Sequence, residues 1–325
     1  MPVAKAVRPI GHEDRLSIIE HLDELRTRLV ICVATVVVVF AICAWQNGPL
    51  LNFIGKPLAT QTEQRTKQGK GPLGGIYVAQ QGVKALYRNQ IRNYELLART
   101  VDARNKPIVN ALLATTRKEL AALPKGPPVN KPITIGIGEP FTQTITVAMY
   151  FALLISLPLL LFQLYAFVLP AFSPEERRVA LPLMTMIPFL FAAGVAFAYW
   201  VVLPAATKFL QNFNSDQFNV LVQAKDYYKF AIITLISVGL VFQLPVGILA
   251  ATRLGIVSLK QLRAWRRYAI VANAVVAMLL PGTDPVSMIF EFAILHALYE
   301  MSLVVARFMG AAKEPAVESL DGEDL

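Results

Sequence analysis

Apolar and polar residues fall along this chain in long blocks, not in the short alternation of a soluble sheet or the repeated stripes of a soluble bundle. Ile18, Leu22, Leu25 and Leu29 recur at steps of four, three and four, one apolar stripe of an amphipathic helix. Ser17 and Glu20 have capping-box spacing at its start. The stripe belongs to an amphipathic segment over 1–28 and runs into an unbroken apolar block at 29–45. That block has 17 residues and ends on Trp45, at the low end for crossing a hydrocarbon core of about 30 Å, with an aromatic interface anchor.

Further apolar blocks follow at 144–170, 179–204 and 230–251. Each carries proline, Pro158, Pro182 with Pro188, and Pro245, which membrane helices tolerate where neighbours satisfy the freed carbonyls. The last two blocks are 268–280 and 286–306, joined by Pro-Gly-Thr-Asp-Pro at 281–285. Thirteen residues rise only about 20 Å, so 268–280 is either a short span in a thinned membrane or half of a re-entrant hairpin. Two short spans joined by the tight turn is the preferred reading. The predicted fold class is therefore an all-α integral membrane protein with six transmembrane helices.

Arginine and lysine orient it. They flank the first block on its N-terminal side and populate the short loops 171–178 and 252–267 as well as the tail 307–325. The turn 281–285 has none, and loop 205–229 has a few lysines. The positive-inside rule then puts both termini in the cytoplasm. The segment 46–143 becomes a long extracytoplasmic loop. Within it, 78–104 and 108–122 read as two helices broken at Asn105-Lys106-Pro107, a helical hairpin inserted between the first two spans.

Charge adds one point. The net +9 of the chain lies entirely in that loop, which holds 14 of the 31 Lys and Arg but 5 of the 22 Asp and Glu. It has no folded signature of a nucleic-acid binder, so no nucleic acid is expected. A basic surface there could meet anionic headgroups or wall polymers, although a solvated decoration is the plainer account. Cys32 and Cys43, about 16 Å apart along one helix, cannot pair. The histidines His12, His21 and His296 form no metal motif, and neither a nucleophile elbow nor a phosphate-binding loop is present. No enzyme activity, metal or cofactor is expected.

The remaining chemistry is polar groups at or inside the membrane. Glu24 lies off its apolar stripe, and its bland reading is an i,i+4 pair with Arg28. Glu176 follows Ser173-Pro174, where an acidic first helical turn is ordinary. Gln243 falls deep in the fourth span, and Glu291, His296 and Glu300 in the sixth. Such groups face protein or a water-filled cavity and are functional by default. An interhelical hydrogen bond is the structural alternative for Gln243. Glu291 is expected on a water-exposed face, and Asp284 as a helix cap. A small secondary transporter with Gln243, Glu291 and Glu300 along its path is one function these residues allow. An intramembrane protease using Asp284 or Glu291 is another.

Four stretches in register carry a resemblance: HLDELRTRL at 21–29, YAFVLPAFSPEERR at 165–178, FAAGVAFAYWVVLP at 191–204, and the Leu280-Pro281-Gly-Thr-Asp284 turn. Together they resemble the TatC family, the signal-peptide receptor of twin-arginine protein translocation. The resemblance implies a receptor subunit in the bacterial cytoplasmic membrane that binds the twin-arginine signals of folded preproteins. It also implies export driven by the proton gradient, assembly with single-span partners of the TatA and TatB type, and self-association. Glu24 and Glu176 match the family's arginine-reading carboxylates, and Phe167 matches the aromatic of the same patch, with Arg26 and Arg178 beside them. Two carboxylates suit this task because each accepts the guanidinium fork through paired charge-assisted hydrogen bonds. Arg26 and Arg28 would also anchor the helix to anionic lipids. Gln243 stands where the family often has glutamate and would meet a partner helix by hydrogen bonding. Pro57 matches one end of the family's first external loop, and Glu139-Pro140-Phe141 the other.

Overall fold

The computed structural model describes residues 18–127, 131–168, 174–215, 217–218, 220–253, 255–280 and 284–308. The Ser17 cap, the Pro281–Thr283 part of the turn and the tail beyond 308 lie outside them. The described residues are mostly helical and contain no strand, only an isolated parallel bridge between Ile133 and Gln223. Five helical runs among them are long and apolar enough to cross a membrane: Leu22–Trp45, Glu139–Phe167, Met184–Asn212, Ala224–Arg253 and Pro285–Phe308. The helix Arg266–Leu279 has 14 residues and rises about 21 Å, short of an undistorted bilayer.

Helix α1 (Ile18–Trp45) packs chiefly along α5 (Glu139–Val168). Its outer side leaves Leu29, Val33, Val37 and Ile42 exposed, a surface that only lipid tails or another protein would cover. Between α1 and α5 in the chain, α2 (Asn47–Lys67) follows α1 after a single turn. The periodicity does not announce α2, because its sequence has almost no amphipathic contrast. Then α3 (Gly74–Thr100) and α4 (Lys106–Ala122) form a hairpin. Arg117 of α4 pairs with Glu95 of α3 at 2.7 Å, and Lys84 donates to the carbonyl of Pro124.

Pro57 explains how α2 is held. A proline has no N–H for the carbonyl four residues back, here Phe53. The Tyr199 hydroxyl donates to that carbonyl at 2.9 Å, and its ring stacks on Phe53 with centroids 4.3 Å apart. Tyr227 donates likewise to the next carbonyl, Ile54, at 2.7 Å. Tyr199 sits in a π turn, Ala198–Val202, between α6 (Pro174–Phe197) and α7 (Leu203–Asn212).

Helices α6 and α8 (Ala224–Val241) interlock through two glycines. The Phe242 ring occupies the space where a side chain on Gly194 would go, and Phe191 does the same over Gly239. Close approach over small residues is how helices gain packing in lipid, where apolar surface has no water to escape. The core around them is Val147, Phe151, Ile232, Leu235 and Val238. After the break at Phe242-Gln243 come α9 (Leu244–Arg253), the short α10 (Leu259–Ala264), α11 (Arg266–Leu279) and α12 (Pro285–Phe308). The break has a cause: the ring of Pro245 would clash with the Val241 carbonyl in a continuous helix.

Candidate functional site

Where α1 lies against α5, a polar cluster closes one end of the pairing. Glu24 and Arg28 are one turn apart on one face. Arg28 donates from Nη2 at 2.6 Å and from Nε at 3.0 Å to the same oxygen, Oε1 of Glu24. Its Nη1 donates to Oε1 of Gln163 on α5 at 2.9 Å. The Glu24 and Arg28 side chains keep only 20% and 24% of their exposure. That shielding lifts the pair above a fully solvated one, which is worth about 0–1 kcal/mol.

Phe167 lies half-buried four residues beyond Gln163, so both project from one face of α5. Arg26 is exposed, and it is Arg28 that holds Glu24. Glu176 and Arg178 stand in the first two turns of α6, which begins at Pro174; their side chains lie outside the described residues. A helix N-terminus favours a carboxylate there, because its unpaired N–H groups and dipole present positive charge. The structure thus brings together Glu24, Arg28 and Gln163, with Phe167 one turn beyond Gln163 on α5. Sequence analysis passed over Gln163, whose one signal was an isolated amide inside the apolar run LLLFQLYAF.

Gln243 forms a second polar point. It is 9% exposed, and its Nε2 donates to the Ile187 carbonyl of α6 at 3.3 Å. Its Oε1 is buried with no hydrogen-bond partner among the described residues. Beside it an apolar groove of about 600 Å³ runs between α8–α9 and α11–α12, lined by Leu240, Leu244, Gly247, Leu280 and Leu295.

Asp284 is a cap. Its Oδ1 accepts from Ser287 N at 2.8 Å and its Oδ2 from Ser287 Oγ at 2.6 Å, so it serves the free N–H groups that open α12. Glu291 departs from the expectation of a wet face: it is fully buried, and neither carboxylate oxygen has a partner among the described residues. It lies on the side of α12 that carries Ser287, Leu295 and Leu298, all buried; a spacing of three and four residues aims it inward. Glu300 is committed to Arg266 at 2.7 Å. Among the described residues no group of histidine, cysteine and carboxylates could hold a metal.

Comparison with known sequences decides the family. The family model described as Sec-independent protein translocase protein (TatC) matches residues 20–293. The chain belongs to the TatC family. It is thereby a component of a protein translocase in a membrane, and not an enzyme. A TatC of Carboxydothermus hydrogenoformans is 35% identical over 180 residues, covering 55% of this chain and 74% of the relative. The TatC of Escherichia coli K12 is 27% identical over 296 residues, covering 91% and 90%. The crystal structure of a twin arginine translocase receptor, TatC, in DDM superimposes with a TM-score of 0.59 at 21% identity. It covers 88% of this chain and 99% of that one. That likeness establishes a TatC fold around the site.

Proposed function

We propose that this TatC-family protein is the receptor subunit of twin-arginine translocation. It reads the paired arginines of signal peptides with Glu24 and Glu176, with Phe167 packing beside them and Arg26 and Arg178 setting the local charge. The observation that carries the reading is the guanidinium already seated on Glu24. Arg28 fills that seat with a fork of two hydrogen bonds to Oε1 and a third to Gln163. A half-shielded carboxylate with an amide beside it suits a guanidinium and suits an ammonium less, since lysine lacks the planar fork. Arg28 is then a resident stand-in, which the signal arginine displaces.

The chain lies in the bacterial cytoplasmic membrane with six spans, the short α11 among them, and with both termini in the cytoplasm. Residues 46–143, with α2 to α4, form an external insertion. Single-span TatA- and TatB-type partners dock in the groove beside Gln243, whose unpaired Oε1 accepts from a polar residue of the partner helix. Arg26 meets anionic lipid headgroups, copies of the chain associate with one another, and the proton gradient drives export.

The test is binding of a signal peptide carrying Arg-Arg or Lys-Lys to the purified protein in nanodiscs, for wild type and the Glu24→Gln, Glu176→Gln double variant. Tight binding of Arg-Arg alone, lost in the variant, is expected. Equal binding of both peptides, insensitive to the substitutions, would overturn the assignment.

A further inference from the structure

At the opposite end of the α6–α7 run from Glu176, the structure holds a small, partly open cavity walled by Arg65, Lys70, Lys131, Thr62, Thr66 and Gln211. Three of those six side chains are cationic, and none of the cavity's described lining residues is acidic. Arg65 is 9% exposed, and its Nε is buried without a hydrogen-bond partner among the described residues. Burial pushes its guanidinium pKa down from the usual arginine value. Two residues along, the exposed Lys67 has its carboxylate, Glu63 at 2.7 Å. Among the described residues the cation that needs it least is neutralised and the buried one is left uncompensated, a costly arrangement unless something else brings the negative charge.

The local fold makes this a shaped pocket. Helix α2 ends in a Schellman motif, with Gly69 at φ +75° and Lys70 N and Gly69 N donating to the carbonyls of Arg65 and Thr66 at 2.9 and 3.0 Å. The motif folds Lys70 back over the Arg65 turn. From the other side, Ile133 exchanges backbone hydrogen bonds with Val222 and Ala224 at 2.9 and 2.8 Å, which pins Lys131 beside α7. Gln211 donates to Thr62 Oγ1 at 3.0 Å and keeps a buried Oε1 without a partner among the described residues, a seat for a ligand hydroxyl. A second cavity of about 310 Å³ adjoins, sharing Leu58, Gln211, Val220 and Val222 with the first and lined further by Leu210, Leu221, Phe230 and the exposed carboxylate Asp226.

We propose that Arg65, Lys70 and Lys131 form a binding site for a phosphate group. A planar guanidinium with two ammonium groups around it is the donor set that tetrahedral oxyanions take. The adjoining cavity, mostly but not wholly apolar and at the start of the span that opens with Ala224, makes an anionic phospholipid headgroup the favoured source over free phosphate. Its acyl chain has the Leu210–Leu221–Phe230 cavity to enter.

The test uses the full chain in nanodiscs of phosphatidylcholine, either alone or doped with phosphatidylglycerol, and a separate titration with inorganic phosphate. The readouts are lipid retained on purification, by native mass spectrometry, and the thermal unfolding midpoint. Wild type should retain phosphatidylglycerol about tenfold or more over the Lys70→Gln, Lys131→Gln variant, as loss of charge-assisted bonds requires. Phosphatidylcholine should show no such difference. Stabilisation by inorganic phosphate without lipid retention, abolished in the same variant, would assign the site to a free oxyanion. Retention and unfolding that are the same in wild type and variant, with either probe, would overturn the site. Both substitutions lie on lysines outside the helices, so the outcome does not depend on an Arg65 variant folding.

Discussion

Arg28 places two nitrogens on one oxygen of Glu24, at 2.6 and 3.0 Å, and a third on Gln163 across the helix pair at 2.9 Å. The carboxylate proposed to read a signal arginine is thus already reading an arginine of its own. If the two compete for one seat, Arg28→Gln should tighten binding of an Arg-Arg peptide severalfold, while Glu24→Gln should weaken it by about 1.5–3 kcal/mol, the size of a charged hydrogen bond. Peptide titration in nanodiscs measures both. Weaker binding in Arg28→Gln would mean that Arg28 positions Glu24 and does not occupy its site.

Pro57 and Tyr199 give a coupling that can be measured. Tyr199→Phe removes the donor to the Phe53 carbonyl and should cost about 1 kcal/mol. In a Pro57→Ala background the alanine N–H can serve that carbonyl, so the same substitution should cost distinctly less. The double-mutant cycle, read from unfolding in detergent, should return a coupling of about 0.5 kcal/mol or more. A coupling of zero would separate the proline from the tyrosine.

Gly239 and Gly194 face the rings of Phe191 and Phe242 with no room for a side chain; a Cβ would lie 2.6 and 2.8 Å from the nearest ring carbon. Gly239→Val should destabilise by about 1–3 kcal/mol, the usual cost of overpacking. A companion Phe191→Leu change should recover part of that loss in a thermal melt.

Asp284 should behave as a cap. Asp284→Ala should cost about 0.5–2 kcal/mol of stability, and Asp284→Asn, which keeps an acceptor for Ser287 N, much less. Export assays on both variants separate this role from one that needs the charge: full activity of Asp284→Asn is expected.

A photocrosslinker at position 243 tests the partner groove. The expected product is an adduct with a small single-span protein, and its absence, with an intact fold, would count against docking beside Gln243.

Periodicity and block length were enough to announce membrane helices. A run of apolar residues long enough to cross a bilayer has few alternatives, since every backbone polar group in lipid must be satisfied within the segment. The same reading puts helices over 78–104 and 108–122, where the structure has α3 at Gly74–Thr100 and α4 at Lys106–Ala122, and it singles out carboxylates that lie off the apolar stripe of α1. It passed over α2, where apolar and polar residues are mixed around the helix, and over the π turn, which has no sequence signature of its own. It placed Glu291 in water because a carboxylate ordinarily belongs there; the structure buries it on the packed side of α12.

The composition of this chain, its apolar blocks and its four motifs in register were sufficient for its class, its family and the residues to question first. They could not say which partner each polar group takes, because partners in a helix bundle come from segments far apart in sequence. Arg28 meets Gln163 across 135 positions and Tyr199 meets Phe53 across 146. The cationic pocket likewise exists only once α2, α7 and the strand-like segment at 131–133 are packed together. Helical propensity and hydrophobic period act over a few residues, whereas hydrogen-bond satisfaction and close packing over glycine depend on which helices touch.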